Sequence, residues 1–537
     1  MKYLFILILF FSSDAYSQQN LNIPQMTSGM PSWAKLMYES NINLIKLDSA
    51  YRAFYKFNNF VKSNYTRYYK RLIMNNRNFM NNDGTFNSYS SDVIEKMFQK
   101  EDHKQSKSLL GELVWKPFIM ETFFLEKNRV ACPWQTNVYA IDVSKSNPNI
   151  LVCAAETGSI YRTTDKGLNW NQIGTDFSLS TEAICIHPSN PDIIYIGTNG
   201  SLRKSLDAGL TWKTIHSVTD IYFYDIEINS SNPNIIVTGT DRGLFRSTDG
   251  GETWKGISNL SVCEIESNPS NPNVIYIMQA SKSGYEPWKS IDGGATFSLK
   301  NSGWYNLTDA GVRMSVTPAD PKRVYAISLT SKGPHLMRSN DEGDTWKIIS
   351  TGSYNLLDDN KKPIKSYNGV DDSVYKSKDF PMDNWQGYYD LSLVVSHTNP
   401  DQIITGTGST YKSIDGGKTF VVMGGYGGSF SVHPDLQEAI SIGKDTWIAT
   451  DGGITYSSDF FTDTKNSEAR MKGVNGSDFW GFDAGWNEDI FVGGRYHNGN
   501  TVWHENYLNK FIRMGGCLLY TSPSLRDRTR SRMPSSA

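Results

Sequence analysis

Six eight-residue segments carry an aspartate at their third position and a Trp or Phe at their eighth: TTDKGLNW ending at Trp170, SLDAGLTW at Trp212, STDGGETW at Trp254, SIDGGATF at Phe297, SNDEGDTW at Trp346 and SIDGGKTF at Phe420. A seventh, degenerate copy, Ser457-Ser458-Asp459, lacks the glycine and the aromatic. Carboxylates recurring like this, at Asp165, Asp207, Asp249, Asp292, Asp341, Asp415 and Asp459, can in principle act as acids and bases or ligate Ca²⁺. A turn explains them better. An aspartate at the third position accepts from backbone N–H groups of a tight loop, and glycine two residues on supplies a positive φ. The Ser or Thr bonds locally, while the aromatic opens the next strand. Residues repeated in every unit of an array serve folding more often than chemistry. Outside the box, Asp225 after Tyr224, Asp390 after Tyr389 and Asp483 after Phe482 fall near the starts of expected innermost strands and are the catalytic candidates. Trp385, Tyr388 and Tyr389 are the binding candidates, because exposed aromatic faces stack on sugar rings.

The elements that must position these residues follow from the repeat. The box aspartates are separated by 42, 42, 43, 49, 74 and 44 residues. A period near 42 matches a four-stranded propeller blade of ~40–45 residues. Upstream of the boxes stand Asn-Pro or Asp-Pro turns such as Asn190-Pro191 and Asn232-Pro233, each followed by a β-rich run such as Ile193-Ile194-Tyr195-Ile196. The 74-residue interval holds an insertion between Ser353 and Tyr389 that carries Asp358, Asp359, Asp371, Asp372, Asp379 and Asp383 besides the three aromatics. Such insertions decorate binding faces of repeat folds, although a solvated acidic loop is the plainer reading. His187, His397 and His433 sit in the turn regions and read as turn residues. Upstream of the repeats, Leu47, Ala50, Phe54, Phe57, Val61, Tyr65, Tyr68 and Leu72 step by three or four, predicting one or two helices between Ser32 and Met74.

Composition bounds the whole. With 537 residues, 39% hydrophobic, 13% aromatic and 20% charged, the chain is foldable and too long for one ordinary core. Lys+Arg 53 against Asp+Glu 55 gives a net charge of −2, which leaves no basic excess for nucleic acid. Lys2, the apolar run Tyr3 to Phe11 and the small residues Ala15 and Ser17 read as a cleavable signal peptide. No later stretch reaches the roughly 18–20 apolar residues of a membrane span. Export to the cell surface or beyond is therefore expected. Cys132, Cys153, Cys185, Cys263 and Cys517 match no metal motif or dense disulfide framework, and their pairing stays open. No HExxH or phosphate loop is present, so no metal or cofactor is expected. From Cys517 the text turns Arg-rich and resembles a translated sequencing adapter, which predicts a fragment whose natural frame breaks near Gly516; a disordered basic tail is the alternative. The expected organisation is a signal peptide over 1–17, a helical preface and Asn-rich mobile stretch over 18–105, a linker over 106–135, a propeller over 136–516 and a non-native or disordered tail over 517–537.

The S-x-D-x-G-x-T-W boxes resemble the Asp-box, or bacterial neuraminidase repeat, and box plus Asn-Pro turn is similar to the sortilin/vacuolar sorting receptor propeller and its bacterial relatives. The likeness covers roughly residues 136–510. It implies an all-β fold: a propeller of at least seven four-stranded blades, with the boxes on the rim and away from any ligand channel. Phe479 to Asp483 and Asp489 to Gly494 read as the first strands of an eighth blade, so the ring is expected to stop unfinished with an open sheet edge. Hosts of this box include sialidases, xyloglucan-cleaving hydrolases, sorting receptors and non-catalytic surface proteins. The preferred expectation is a non-catalytic, exported module that binds an extracellular protein or carbohydrate. The alternative is a glycoside hydrolase. Sialidase chemistry would need an arginine cluster, and the early Arg-Ile-Pro element of that family is absent. Xyloglucan-type inversion would need two carboxylates roughly 6.5–9.5 Å apart.

Overall fold

The computed structural model describes residues 24–85 and 122–515, apart from short stretches of which 354–379 is the longest. The segment expected to be a signal peptide, the Asn-rich stretch beyond residue 85, the insertion's aspartates, Trp385 and the Arg-rich tail lie outside the described residues. The chain divides into two units, 1–115 and 116–537.

In the first unit a 3-10 turn, Ser32–Tyr38, precedes helices Leu44–Phe57 and Asn64–Asn76. The Asn43 side chain caps the first helix by accepting from the Lys46 N–H. Trp33, Tyr51 and Tyr69 form its aromatic centre, with Tyr51 stacked on Tyr69 at 3.9 Å. Phe57 and Val61, which the helical stepping assigns to the buried face, are exposed because the helix ends at Phe57.

The second unit is a β-propeller. Seven sheets follow one another along the chain, each built on four antiparallel strands wound in order from the axis outward, and Phe380–Pro381 adds a fifth, parallel strand to one of them. Their innermost strands are Val138–Val143, Ala183–Ile186, Phe223–Ile228, Val262–Asn268, Gly311–Val316, Ser392–Val395 and Leu436–Ile442. We number the blades 1 to 7 in that order. The second strand of each is buried along its middle, and throughout in Ile236–Thr240 of blade 3, because it is packed on both faces by neighbouring blades. The hydrophobic core is accordingly divided among the seams, for example Ala183, Phe223 and Ile236 between blades 2 and 3 and Tyr325, Leu336 and Ile403 between blades 5 and 6.

Each box joins a blade's third and fourth strands and has the expected turn chemistry. In blade 3 the Ser247 hydroxyl donates to Asp249 Oδ1 and accepts from the Gly251 N–H, while Asp249 accepts from the Thr253 N–H at 2.9 Å and hydroxyl at 2.6 Å. The degenerate copy keeps the arrangement: Ser457 Oγ accepts from the Phe461 N–H, and Asp459 Oδ1 accepts from Ser457 and from the Thr462 N–H.

Two expectations are corrected here. The ring is not left open, since blade 7 packs on blade 1 through Trp447, Tyr456 and Met471 against Val138, Tyr161 and Trp170. Trp170 Nε1 donates to the Arg470 carbonyl at 2.9 Å, and the Ile141 N–H donates to Glu438 at 2.6 Å. Nor do the strands after residue 478 form an eighth blade of that ring. Phe479–Ala484, Ile490–Arg495, Gly499–His504 and Phe511–Gly515 make a separate sheet, completed by Thr122–Phe124 and Val130–Cys132 from the segment expected to be a linker. Thr122–Phe124 runs parallel to Phe511–Gly515 and covers the edge that was expected to be exposed. Among the described cysteines, Cys153, Cys185 and Cys263 are free thiols. No described helix is long and apolar enough to cross a membrane.

Candidate functional site

The seven innermost strands enclose a central channel of about 1100 Å³. Strand alternation places acids on its wall: in Phe223–Ile228 the aliphatic Ile226 and Ile228 are buried in the seam while Asp225 and Glu227 face the channel. Asp142, Asp225, Glu227, Glu264, Glu266 and Glu438 line it, against Lys145 and Arg313 of opposite sign.

Most of these carboxylates stitch blade to blade. Asp142 accepts from its neighbour Val143 and from the Ile186 N–H of blade 2 at 2.6 Å. Asp225 repeats this with Ile226 and, across the seam, the Ile265 N–H at 2.7 Å. Glu264 reaches the Met314 N–H and Glu438 the Ile141 N–H, while Ser315 does the same for Val395 with a hydroxyl. Innermost strands of different blades are not paired in a ladder, so these side chains satisfy backbone donors that would otherwise be orphaned. The arrangement also crowds acids. Burial raises the Asp142 carboxyl to about 6 and that of Glu264 to about 7, the latter opposed by Arg313 at 3.6 Å. Burial followed by the mutual repulsion of the acids drives Asp225, Glu266 and Glu438 well above the carboxylate range. Lys145 lies 3.6 Å from Glu227, which raises its own affinity for a proton. Tyr139, Tyr224, Tyr285, Tyr388 and Tyr389 share the channel lining, and Tyr388 keeps 72% of its surface exposed.

A second group stands on the segments that lead into blades 6 and 7. Asp390 precedes the innermost strand Ser392–Val395, is fully buried, and meets the Asp435 carboxyl, with no N–H donor or hydroxyl among the described residues on either of its oxygens. Burial, then Asp435 and Asp451, push its pKa up to about 9. Asp451 is also fully buried and accepts from Gln437 Nε2 at 2.7 Å and from the Tyr389 hydroxyl at 3.2 Å. His497, in the turn between Ile490–Arg495 and Gly499–His504 of the separate sheet, brings Nδ1 to 2.8 Å from Asp451 and 3.8 Å from Asp435. The neighbouring Asn498 fixes that turn by donating to the Asp451 carbonyl.

The three catalytic candidates are thus not brought together. Asp225 is a channel carboxylate bound to two backbone amides, Asp390 is buried in the second group, and Asp483 lies opposite Val492 in the separate sheet. Of the binding candidates, Tyr388 and Tyr389 border the channel. The box aspartates stay in their turns on the blades' outer strands, apart from both groups. Sequence reasoning missed Glu264, Glu438, Asp435, Asp451 and His497. Alternation in Phe-Tyr-Asp-Ile-Glu-Ile (223–228) and Val-Cys-Glu-Ile-Glu-Ser (262–267) is a legible sign for the channel acids, whereas the second group is assembled from segments with no common pattern.

A family model for the BNR/Asp-box repeat matches residues 245–255, the box of blade 3. No curated protein sequence matches the chain. Among solved structures, the chain is similar to an ancestral GH74 enzyme at 14% identity and a TM-score of 0.50, the match covering 69% of this chain and 53% of that one. It is similar to the GH74 xyloglucanase from Xanthomonas campestris at 12% identity and a TM-score of 0.51, covering 72% of this chain and 60% of the enzyme. The chain therefore spans little more than half the length of either. At these identities the likeness shows the fold, a β-propeller built from Asp-box blades.

Proposed function

We propose that this protein is an exported, non-catalytic propeller that binds carbohydrate in its central channel. The observation that carries this reading is the pairing of five tyrosines with six carboxyl groups on one channel wall. Tyrosine faces stack on sugar rings, and carboxyls raised well above their ordinary range, such as Glu264 and Glu266, both donate to and accept from hydroxyls. Asp142 and Asp225 each accept a backbone N–H on both oxygens, which fixes these carboxyls in place and favours a binding wall over a mobile acid–base pair. Export rests on the leader-like segment Lys2 to Ser17.

Glycoside hydrolysis is the second reading, favoured by Glu264. A carboxyl raised to about 7 beside other carboxylates has the character of a general acid at neutral pH. Titration of the full chain with neutral and sialylated oligosaccharides, followed by calorimetry and by release of reducing ends, separates the two. Binding without release supports the module, and Tyr388→Ala is expected to weaken it about tenfold or more. Release abolished by Glu264→Gln would replace the module with the hydrolase. Binding of basic peptides and of no oligosaccharide, or an unaltered affinity in Tyr388→Ala, would sink the carbohydrate reading.

A further inference from the structure

We propose that Asp390, Asp435, Asp451 and His497 form a binding site for one divalent cation of the Mn²⁺ or Zn²⁺ kind. One ligand atom from each of Asp435, Asp451 and His497 lies within 4.8 Å of the other two. Donors on opposite sides of a cation stand at twice the bond length, roughly 4–5 Å apart, so the three already fit around one centre. Asp390 supplies an independent sign. It is fully buried, its carboxyl meets that of Asp435 and feels the charge of Asp451, and no N–H donor or hydroxyl among the described residues reaches either of its oxygens. A buried carboxylate without a donor is costly, and here its nearest charged neighbours are of its own sign.

Gln437 Nε2 and the Tyr389 hydroxyl, both neutral, donate to Asp451, and the His497 imidazole stands against three carboxyls. A dication at the common point would neutralise them at once. It would bind the ionised carboxylates and the imidazole Nδ1 in its unprotonated state. Three carboxylates alone would suit Ca²⁺ or Mg²⁺; the imidazole in the set shifts preference to the transition metals. The ligands come from three places, the segment before blade 6, the two turns bordering blade 7's first strands, and the separate sheet. A bound cation would clamp that sheet to the ring.

The test uses the full chain stripped with a chelator, titrated with MnCl₂ and with ZnCl₂ by calorimetry, and melted with and without each salt. One equivalent is expected to bind and to raise the melting temperature, since a ligand of the native state stabilises it. Asp390→Asn and Asp435→Asn should lower affinity about tenfold or more. The metal-free Asp390→Asn protein should melt no lower than the metal-free parent, because a buried carboxyl among like charges has been replaced by a neutral amide. Should that variant fail to fold, His497→Asn serves for the affinity comparison alone, as asparagine tolerates the turn's φ of 57°. A parent that binds neither ion, or variants that bind as tightly as the parent, would overturn the site.

Discussion

At the scale of single residues, the box depends on its aspartate, and its glycine is replaceable. The Thr253 hydroxyl and N–H, with the Ser247 hydroxyl, hold the Asp249 carboxyl down at about 2, so it is an acceptor fixed in its ionised form. In the degenerate box Phe461 takes the place of glycine at a φ of 53°, and its ring is 1% exposed in the seam between blades 6 and 7. The side chain's burial there offsets the cost of a left-handed backbone, about 1–2 kcal/mol. Two substitutions separate these effects. Phe461→Ala loses the packing and keeps the strain, and should cost about 3–5 kcal/mol. Phe461→Gly loses the same packing and relieves the strain, so it should be about 1 kcal/mol milder. Urea unfolding of both variants decides it, and a glycine variant no better than alanine would show that the backbone is unstrained.

At the scale of elements, the blade seams depend on side chains that cap the neighbouring innermost strand. Glu438 is the clearest case because it closes the ring onto Ile141. Glu438→Ala leaves that buried N–H without an acceptor and should cost about 1–3 kcal/mol, whereas Glu438→Gln keeps a carbonyl oxygen in place and should be nearly neutral. Chemical denaturation gives the difference, and hydrogen exchange at Ile141 locates it; equal effects would mean that the bond contributes nothing to closure. Blade order was legible from the sequence because the period and the turn chemistry are local, repeated seven times, and independent of partners far along the chain. Closure was not, because it rests on contacts between the first and last blades, such as Trp170 with Arg470, that no local pattern announces. The two strands before residue 133 were likewise hidden: three-residue strands take their structure from the sheet they join. Asp390 was singled out in the sequence only as a carboxyl following a tyrosine, and its neighbours Asp435, Asp451 and His497 meet it only once the ring has closed and the separate sheet has docked.

At the scale of the whole molecule, the acids fall into two opposed populations. The box carboxyls on the outer strands are held low, to about 2 in Asp249, Asp292 and Asp341. They add stability that is fully present above their ordinary pKa near 4 and is lost as pH falls towards 2. The axial carboxyls are held high, Glu264 at about 7 and Asp225, Glu266 and Glu438 well above their ordinary range, chiefly by burial. The unfolded chain releases these protons near pH 4, so at neutral pH the native state binds more of them than the unfolded one, and stability must fall as pH rises. Histidines held low by burial, His433 at about 4 among them, oppose this trend only below their unfolded value near 6.5. Lys412, held down at about 8 by burial, opposes it only above that pH. Between about pH 6.5 and 8 the axial acids, joined by Asp390 held up at about 9, act unopposed, and the melting temperature of the chelator-treated protein should decline steadily across that window. Glu266→Gln, which removes one of those protons, should flatten the decline. A melting temperature that holds level or climbs from pH 6.5 to 8 would mean that the channel acids are already ionised in the native ring, and that the channel carries a negative charge suited to cationic ligands in place of sugars.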